Sequence, residues 1–175
     1  MYLTISRKIN SIDNYILYFI RKYVKNKYLD VIMPFTTRLG HLGFIWIVMA
    51  LVLILDKPYR AVGNSVLLTL IVGAALGEGI VKHIVRRVRP CKYKDYNLLI
   101  SMPITYSFPS GHALSSFAVA EVLSMSFSQY KFIFMGIAFL IAFSRLYLDV
   151  HYPTDVIAGI ILGILCSKFI IIILM

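Results

Sequence analysis

The chain has 175 residues, the size of one domain, of which 59% are hydrophobic and only 15% charged, with a mean hydropathy of +0.80. Ordinary globular domains are about half apolar and roughly a quarter charged, so this composition excludes a water-soluble globule and implies an integral membrane protein. The net charge of +10 does not imply nucleic acid, because the basic residues flank apolar spans and no nucleic-acid motif is present; anionic lipid head groups are the partner it implies.

Met1 to Asn10 contains no long apolar run and no small-residue cleavage site, so a cleaved signal peptide is not expected. Residues 11–27 read as an amphipathic helix with Ser11 as N-cap. Ile12, Tyr15, Ile16, Phe19, Ile20, Tyr23 and Val24 recur at helical spacing, and Arg21, Lys22, Lys25 and Lys27 crowd one end. The apolar run is too short to span, so this helix is expected to lie along the membrane interface, within an N-terminal segment 1–39 that precedes a membrane domain 40–175. Five apolar segments follow, near Gly40–Leu55, Ala61–Val85, Gly111–Phe127, Phe132–Tyr147 and Asp155–Met175. A span needs about 20 residues for a ~30 Å hydrocarbon core, which the second and fifth reach easily and the others reach with their polar ends included. The expected fold is therefore all-α: a membrane bundle of about five transmembrane helices plus the interfacial helix. Cys91 and Cys166 show no zinc or redox spacing and read as inert thiols.

Three polar fragments interrupt the apolar framework: Lys82 through Arg89-Pro90, Pro109-Ser110-Gly111-His112, and Ser144-Arg145 through His151 to Asp155. With five crossings, the loops carrying them fall on one membrane face. Charged residues near lipid are costly and are functional candidates by default. Lys82 and Arg89 are seven residues apart, two turns of helix, so both should point to one side, with Pro90 ending the helix. Two such cations can grip separate oxygens of one phosphate. Arg86 and Arg87 have no clear assignment, and Arg86 is expected to snorkel to head groups. Ser110-Gly111-His112 opens a helix, whose free N–H groups and dipole favour an anion, and His112 titrates near neutrality and suits a general acid. Asp155, four residues after His151, can bond one imidazole nitrogen and leave the other free to attack phosphorus. Glu78, one turn before Lys82, can pair with it.

Written as K-x6-R-P, P-S-G-H and S-R-x5-H-x3-D, the three fragments resemble the signature of the type 2 phosphatidic acid phosphatase family, which shares its site with vanadium haloperoxidases and bacterial acid phosphatases. All three motifs are present without substitution and in order. The resemblance implies a membrane lipid phosphatase in which His151 forms a phospho-histidine and Asp155 orients it. It further implies that His112 protonates the leaving group and then activates water, and that Lys82, Arg89, Ser110, Gly111 and Arg145 hold the phosphoryl oxygens. It implies no metal and no cofactor, and the chain shows no metal-ligand cluster of its own. Family enzymes commonly have six spans; here the expected count lacks the first, which would place the N-terminus on the active-site face.

The substrate expected is a lipid phosphate or diphosphate, such as undecaprenyl diphosphate, phosphatidylglycerophosphate or phosphatidic acid, in the cell membrane. The family implies a site facing away from the cytoplasm, whereas most of the 18 Lys and Arg residues fall on the motif-bearing face, which the positive-inside tendency puts in the cytoplasm. Both orientations stay open, as does the oligomeric state. The alternatives in other classes are a vanadate-dependent haloperoxidase-like enzyme and a non-catalytic lipid-binding or transport protein. An intact His151, Asp155 and His112 set argues against the latter, since binding alone needs no nucleophile.

Overall fold

In a computed structural model the chain is a helical bundle with no strand among its described residues, which are 2–93 and 98–174. Lys94 and Asp95, which follow the first motif in the sequence, lie outside them. The helices are α1 (Tyr2–Phe19), α2 (Lys27–Leu39), α3 (Phe44–Leu55), α4 (Arg60–Ala74), α5 (Lys82–Val85), α6 (Gly111–Ser126), α7 (Lys131–Tyr147) and α8 (Pro153–Leu174).

Among the described residues three stretches are long and apolar enough to cross a membrane: Lys57–Val85, Ser128–Tyr147 and Pro153–Ile173. The pair Lys27–Leu39 and His41–Leu55, bent by 50°, makes a fourth if counted as one span. The sequence reading began the first span at Gly40, but α2 is continuous with it across a kink where Leu42 and Gly43 take left-handed backbone, φ 52° and 73°. A glycine accepts that conformation without a Cβ clash. The remaining expected span, α6, has 16 residues, about 24 Å at 1.5 Å per residue, short of a full hydrocarbon core.

That short helix is the centre of the bundle. Its run of Ala, Ser and Val is buried nearly all round, and α4, α7 and α8 pack against it. Small side chains let helices approach closely where lipid leaves no hydrophobic drive between them. Gly159 and Gly163 on α8 carry this furthest: a Cβ on either would sit 2.6 Å from the Ser110 carbonyl oxygen or 2.5 Å from that of Leu114. On the far side, buried Trp46 of α3 donates its indole N–H to Ser116 Oγ at 3.0 Å, tying α3 to α6 and satisfying two polar groups at once.

The N-terminal helix differs from its sequence reading. It begins at Tyr2, so Ser11 is inside it and caps nothing, and it ends at Phe19 in a wider π-helical turn, Ile20–Val24. Asp13, Leu17 and Ile20 are buried against the bundle, while Ile12, Tyr15 and Phe19 stay exposed. One edge is thus packed on protein and the other presents the apolar stripe. Basic Lys22 flanks that stripe and lies over the rings of Tyr18 and Tyr23.

Candidate active site

The stretch bearing the first motif is shaped by two departures from regular helix. Ala75–Val81 forms a wide π turn, a distortion found often at functional sites, after which Lys82 is buried while Ile80 and Ile84 face outward. The helix then stops at Val85, because Arg86 adopts left-handed backbone, φ 50°, with its N–H on the Lys82 carbonyl. Lys82 and Arg89 are therefore not two turns apart on one helix, as the spacing predicts. Pro90 biases its predecessor away from helix, and Arg89 reaches the site from an extended segment instead. Arg86 is exposed, its Nε donating to the His83 carbonyl at 2.8 Å.

All eight residues expected at the site are described, and their motifs meet at one end of the bundle. Ser110 is the N-cap of α6, its Oγ accepting from Ala113 N at 3.4 Å, and its own N–H donates to the Asp155 carbonyl at 3.0 Å. That bond joins the second motif to the third. Gly111 follows, and Glu78 lies so close to it that a Cβ there would clash with a carboxylate oxygen. The same carboxylate takes Lys82 Nζ at 2.6 Å on each oxygen, so the i,i+4 pair forms. His112 has Arg145, His151 and His41 as electrostatic neighbours and a hydrogen bond with the Thr37 backbone; the His41 and His112 ring centroids are 6.3 Å apart.

Three cations are almost wholly buried here: Lys82, Arg89 and Arg145, each 3–4% exposed. Arg89 spreads its fork over the carbonyls of Thr105, Val150 and Tyr106, at 2.8–3.0 Å, and over Nε2 of His151 at 3.0 Å. Arg145 bonds the Thr37 hydroxyl through Nη1, and its Nε is a buried donor without a partner among the described residues. Among the described residues neither arginine forms an ion pair with a carboxylate. A buried charge lacking a counter-ion is costly, and a buried donor without an acceptor adds about 1–3 kcal/mol; an anion bound here relieves both.

His151 is fully enclosed. Its Nδ1 lies 2.7 Å from the Ser107 carbonyl, which can only accept, so Nδ1 carries the proton and Nε2 presents its lone pair. Asp155 is not the direct partner its spacing predicts: its nearer oxygen is 3.8 Å from Nδ1. That Oδ2 accepts from the Ser107 hydroxyl and from Tyr152 N at 2.9 Å, while Oδ1 takes Arg87 Nη1 at 2.7 Å. Ser107 thus stands between carboxylate and imidazole, a residue that no motif announces. Burial, aided by the fields of Arg89 and Arg145, overrides the pull of Asp155 and pushes the His151 pKa down to about 3. Burial likewise lowers Arg89 and raises the Cys91 thiol beside it. Among the described residues no three His, Cys, Asp or Glu side chains gather to ligate a metal.

The profile of the PAP2 superfamily matches residues 58–175. An undecaprenyl-diphosphatase of Sulfolobus acidocaldarius is 33% identical over 138 residues, covering 77% of this chain and 66% of that protein. Phosphatidylglycerophosphatase B of Bacillus subtilis is 31% identical over 157 residues, covering 81% and 73%. A crystal structure of a transmembrane PAP2-type phosphatidylglycerolphosphate phosphatase from Bacillus subtilis superposes with a TM-score of 0.76 at 26% identity, over 95% of this chain and 86% of that one. The chain spans 66% of the Sulfolobus protein's length, and less than half that of two further relatives.

Proposed function

The chain belongs to the PAP2 superfamily, and from that premise we propose that it hydrolyses a lipid phosphate or diphosphate through a phospho-histidine on His151. One observation carries the reading. Three buried cations surround an uncharged imidazole whose Nε2 is unprotonated, and two of them have no carboxylate partner among the described residues.

The chemistry follows from that arrangement. Lys82, Arg89, Arg145, Ser110 and the free N–H groups opening α6, at Gly111 and His112, receive the non-bridging phosphoryl oxygens. Arg89 gives up its bond to His151 and turns its donor to the phosphoryl group. Nε2 then attacks phosphorus, the bond to the leaving oxygen breaks, and His112, which takes up a proton as the negative phosphate binds beside it, donates that proton to the leaving oxygen. In the second half His112, now neutral, takes a proton from water, whose oxygen displaces His151 and releases phosphate. The buried cations themselves neutralise the developing charge, so the proposed reaction requires no divalent metal. Glu78 holds Lys82 meanwhile at the lip of the cradle.

The substrate tail stays in lipid, since each buried CH₂ contributes about 0.8 kcal/mol, and the phosphate comes to the cations at the ends of the helices. Relatives are named for undecaprenyl diphosphate and for phosphatidylglycerophosphate, and either, or phosphatidic acid, fits the proposed chemistry. The test is phosphate release by the purified protein from a panel of these lipids, with and without chelator. A His151→Ala protein should neither turn over nor trap a phospho-enzyme, whereas His112→Ala should slow chemistry by about 10²–10⁴-fold. Activity that chelator abolishes and magnesium or zinc restores, or His151→Ala turnover near the normal rate, overturns the reading.

A further inference from the structure

Arg87 belongs to none of the three motif positions, yet it joins the site to the N-terminal helix. Its backbone carbonyl accepts from Ser107 N at 2.8 Å, fixing the residue whose own carbonyl orients His151. Its Nη1 donates to Asp155 Oδ1 and to Thr154 Oγ1, both at 2.7 Å. The guanidinium lies over the Tyr152 ring, 4.0 Å from the centroid. Its Nη2 points away from the site, to Asp13 Oδ2 at 2.7 Å and Asn10 Oδ1 at 3.0 Å, both on α1.

Asp13 is wholly buried and does more than neutralise Arg87. It accepts from Thr154 N at 3.0 Å and from Thr154 Oγ at 2.6 Å. Thr154 is in the first turn of α8, so the carboxylate caps that helix from another part of the chain, satisfying a free N–H at the positive end of the dipole. Burial works against the Arg87 charge, but the hydrogen bond to Asp13 and the field of Asp155 outweigh it and hold its pKa above the ordinary arginine value. The same helical segment grips the other flank of the nucleophile. Arg21 and Lys25 hold Asp149 at 2.9 and 3.4 Å, where that residue takes left-handed backbone, φ 58°.

We propose that Asp13 is a positioning residue for the phosphatase reaction. Through Arg87 it fixes Asp155 and Ser107, and through them the orientation of His151. The N-terminal helix is thus part of the apparatus that aims the nucleophile. This rests on the reading of His151 as nucleophile, and the test separates the two.

The experiment uses the full chain in detergent with dioleoyl phosphatidic acid, comparing Asp13→Asn, Asp13→Glu, Arg87→Lys and the double variant Asp13→Asn/Arg87→Lys. The single losses should lower kcat, and the single-turnover rate of phospho-enzyme formation, by about 10–100-fold, the size typical when groups orienting a working side chain are removed. KM and inhibition by inorganic phosphate should stay within about twofold, because a positioning residue contributes no uniform binding. Asp13→Glu should recover part of the rate. The double variant should be no slower than Arg87→Lys alone, since the effect of Asp13 runs through Arg87. Thr154→Val removes one bond to each partner without touching a charge. It serves if a charge variant does not fold, with an expected loss of about three- to tenfold. Wild-type kcat in Asp13→Asn or Thr154→Val, a rise in KM alone, or additive losses in the double variant would overturn the proposal. An inactive His151→Ala beside a fully active Asp13→Asn removes this inference only; an active His151→Ala removes the phospho-histidine reading with it.

Discussion

The imidazole of His151 is held by the backbone of Ser107, with Nδ1 2.7 Å from the carbonyl oxygen. In the Ser-His-Asp triad the carboxylate itself selects the tautomer, and replacing it by an amide costs about 10⁴-fold. Here a carbonyl that no side-chain substitution removes does that work.

Asp155→Asn should therefore cost far less than in such a triad, about 10–100-fold in kcat/KM, because the Ser107 carbonyl keeps the proton on Nδ1. Ser107→Ala, which deletes only the hydroxyl, should cost less still. Nitrogen chemical shifts of His151 report the tautomer directly. A loss of four orders of magnitude accompanied by a shift of the proton to Nε2 would sink this account.

Arg145→Lys tests the anion cradle. Lysine keeps the charge but loses the Nε donor, which has no partner among the described residues, and the fork that also reaches Thr37. A charge-assisted hydrogen bond is worth about 1.5–3 kcal/mol, so kcat/KM should fall by about 10–100-fold, with weaker inhibition by phosphate. An unchanged phosphate affinity would place Arg145 outside the cradle.

Acid should destabilise the fold through His151. Its pKa is about 3 in the folded chain against 6.5 for an unperturbed histidine, so the unfolded chain takes up the proton first. Stability is at its full value above about pH 6.5 and is lost progressively as the pH falls towards about 3. Thermal melts in detergent across that range should show a shallower decline for His151→Asn than for the natural chain. Any acid limb of kcat/KM between pH 4 and 8 should belong to another group, because His151 stays neutral there.

Gly159→Ala and Gly163→Ala should each lower the melting temperature, because the added methyl meets backbone carbonyl oxygens at 2.6 and 2.5 Å, overpacking that typically costs about 1–3 kcal/mol. Gly136→Ala, on α7 with nothing within 4 Å, should instead be neutral or raise stability by up to about 1 kcal/mol. Equal melting temperatures for all three proteins would contradict the close packing of α6 on α8.

The convergence of the three motifs was legible because it depends only on how many apolar segments lie between them. The supporting network was not. Arg87, Ser107 and Asp13 meet across 74 positions between Arg87 and Asp13 and 48 between Ser107 and Asp155, and no spacing rule reaches that far. Asp13 was hidden for a further reason: a carboxylate in an amphipathic helix reads as a solvent-facing residue, whereas Asp13 is as enclosed as Leu17 on the packed edge. The register of Lys82 and Arg89 was misread because the left-handed turn at Arg86 has no signature in an arginine. The bend between α2 and α3 had a visible cue in Gly40 and Gly43, yet the polar flank around Arg38 and His41 made that boundary look like the end of an interfacial segment.

The seam between α6 and α8 has a consequence for descent. With the Cα atoms of two glycines facing carbonyl oxygens and Ser110 N–H on the Asp155 carbonyl, α6 and α8 meet main chain to main chain at these points. A side chain at either glycine would meet the main chain of α6. Lineages that keep the reaction while changing the lipid must therefore do their varying on the outward walls of α3, α4 and α7. Sequence drift in a family built on this seam should be steepest where the bundle faces the bilayer.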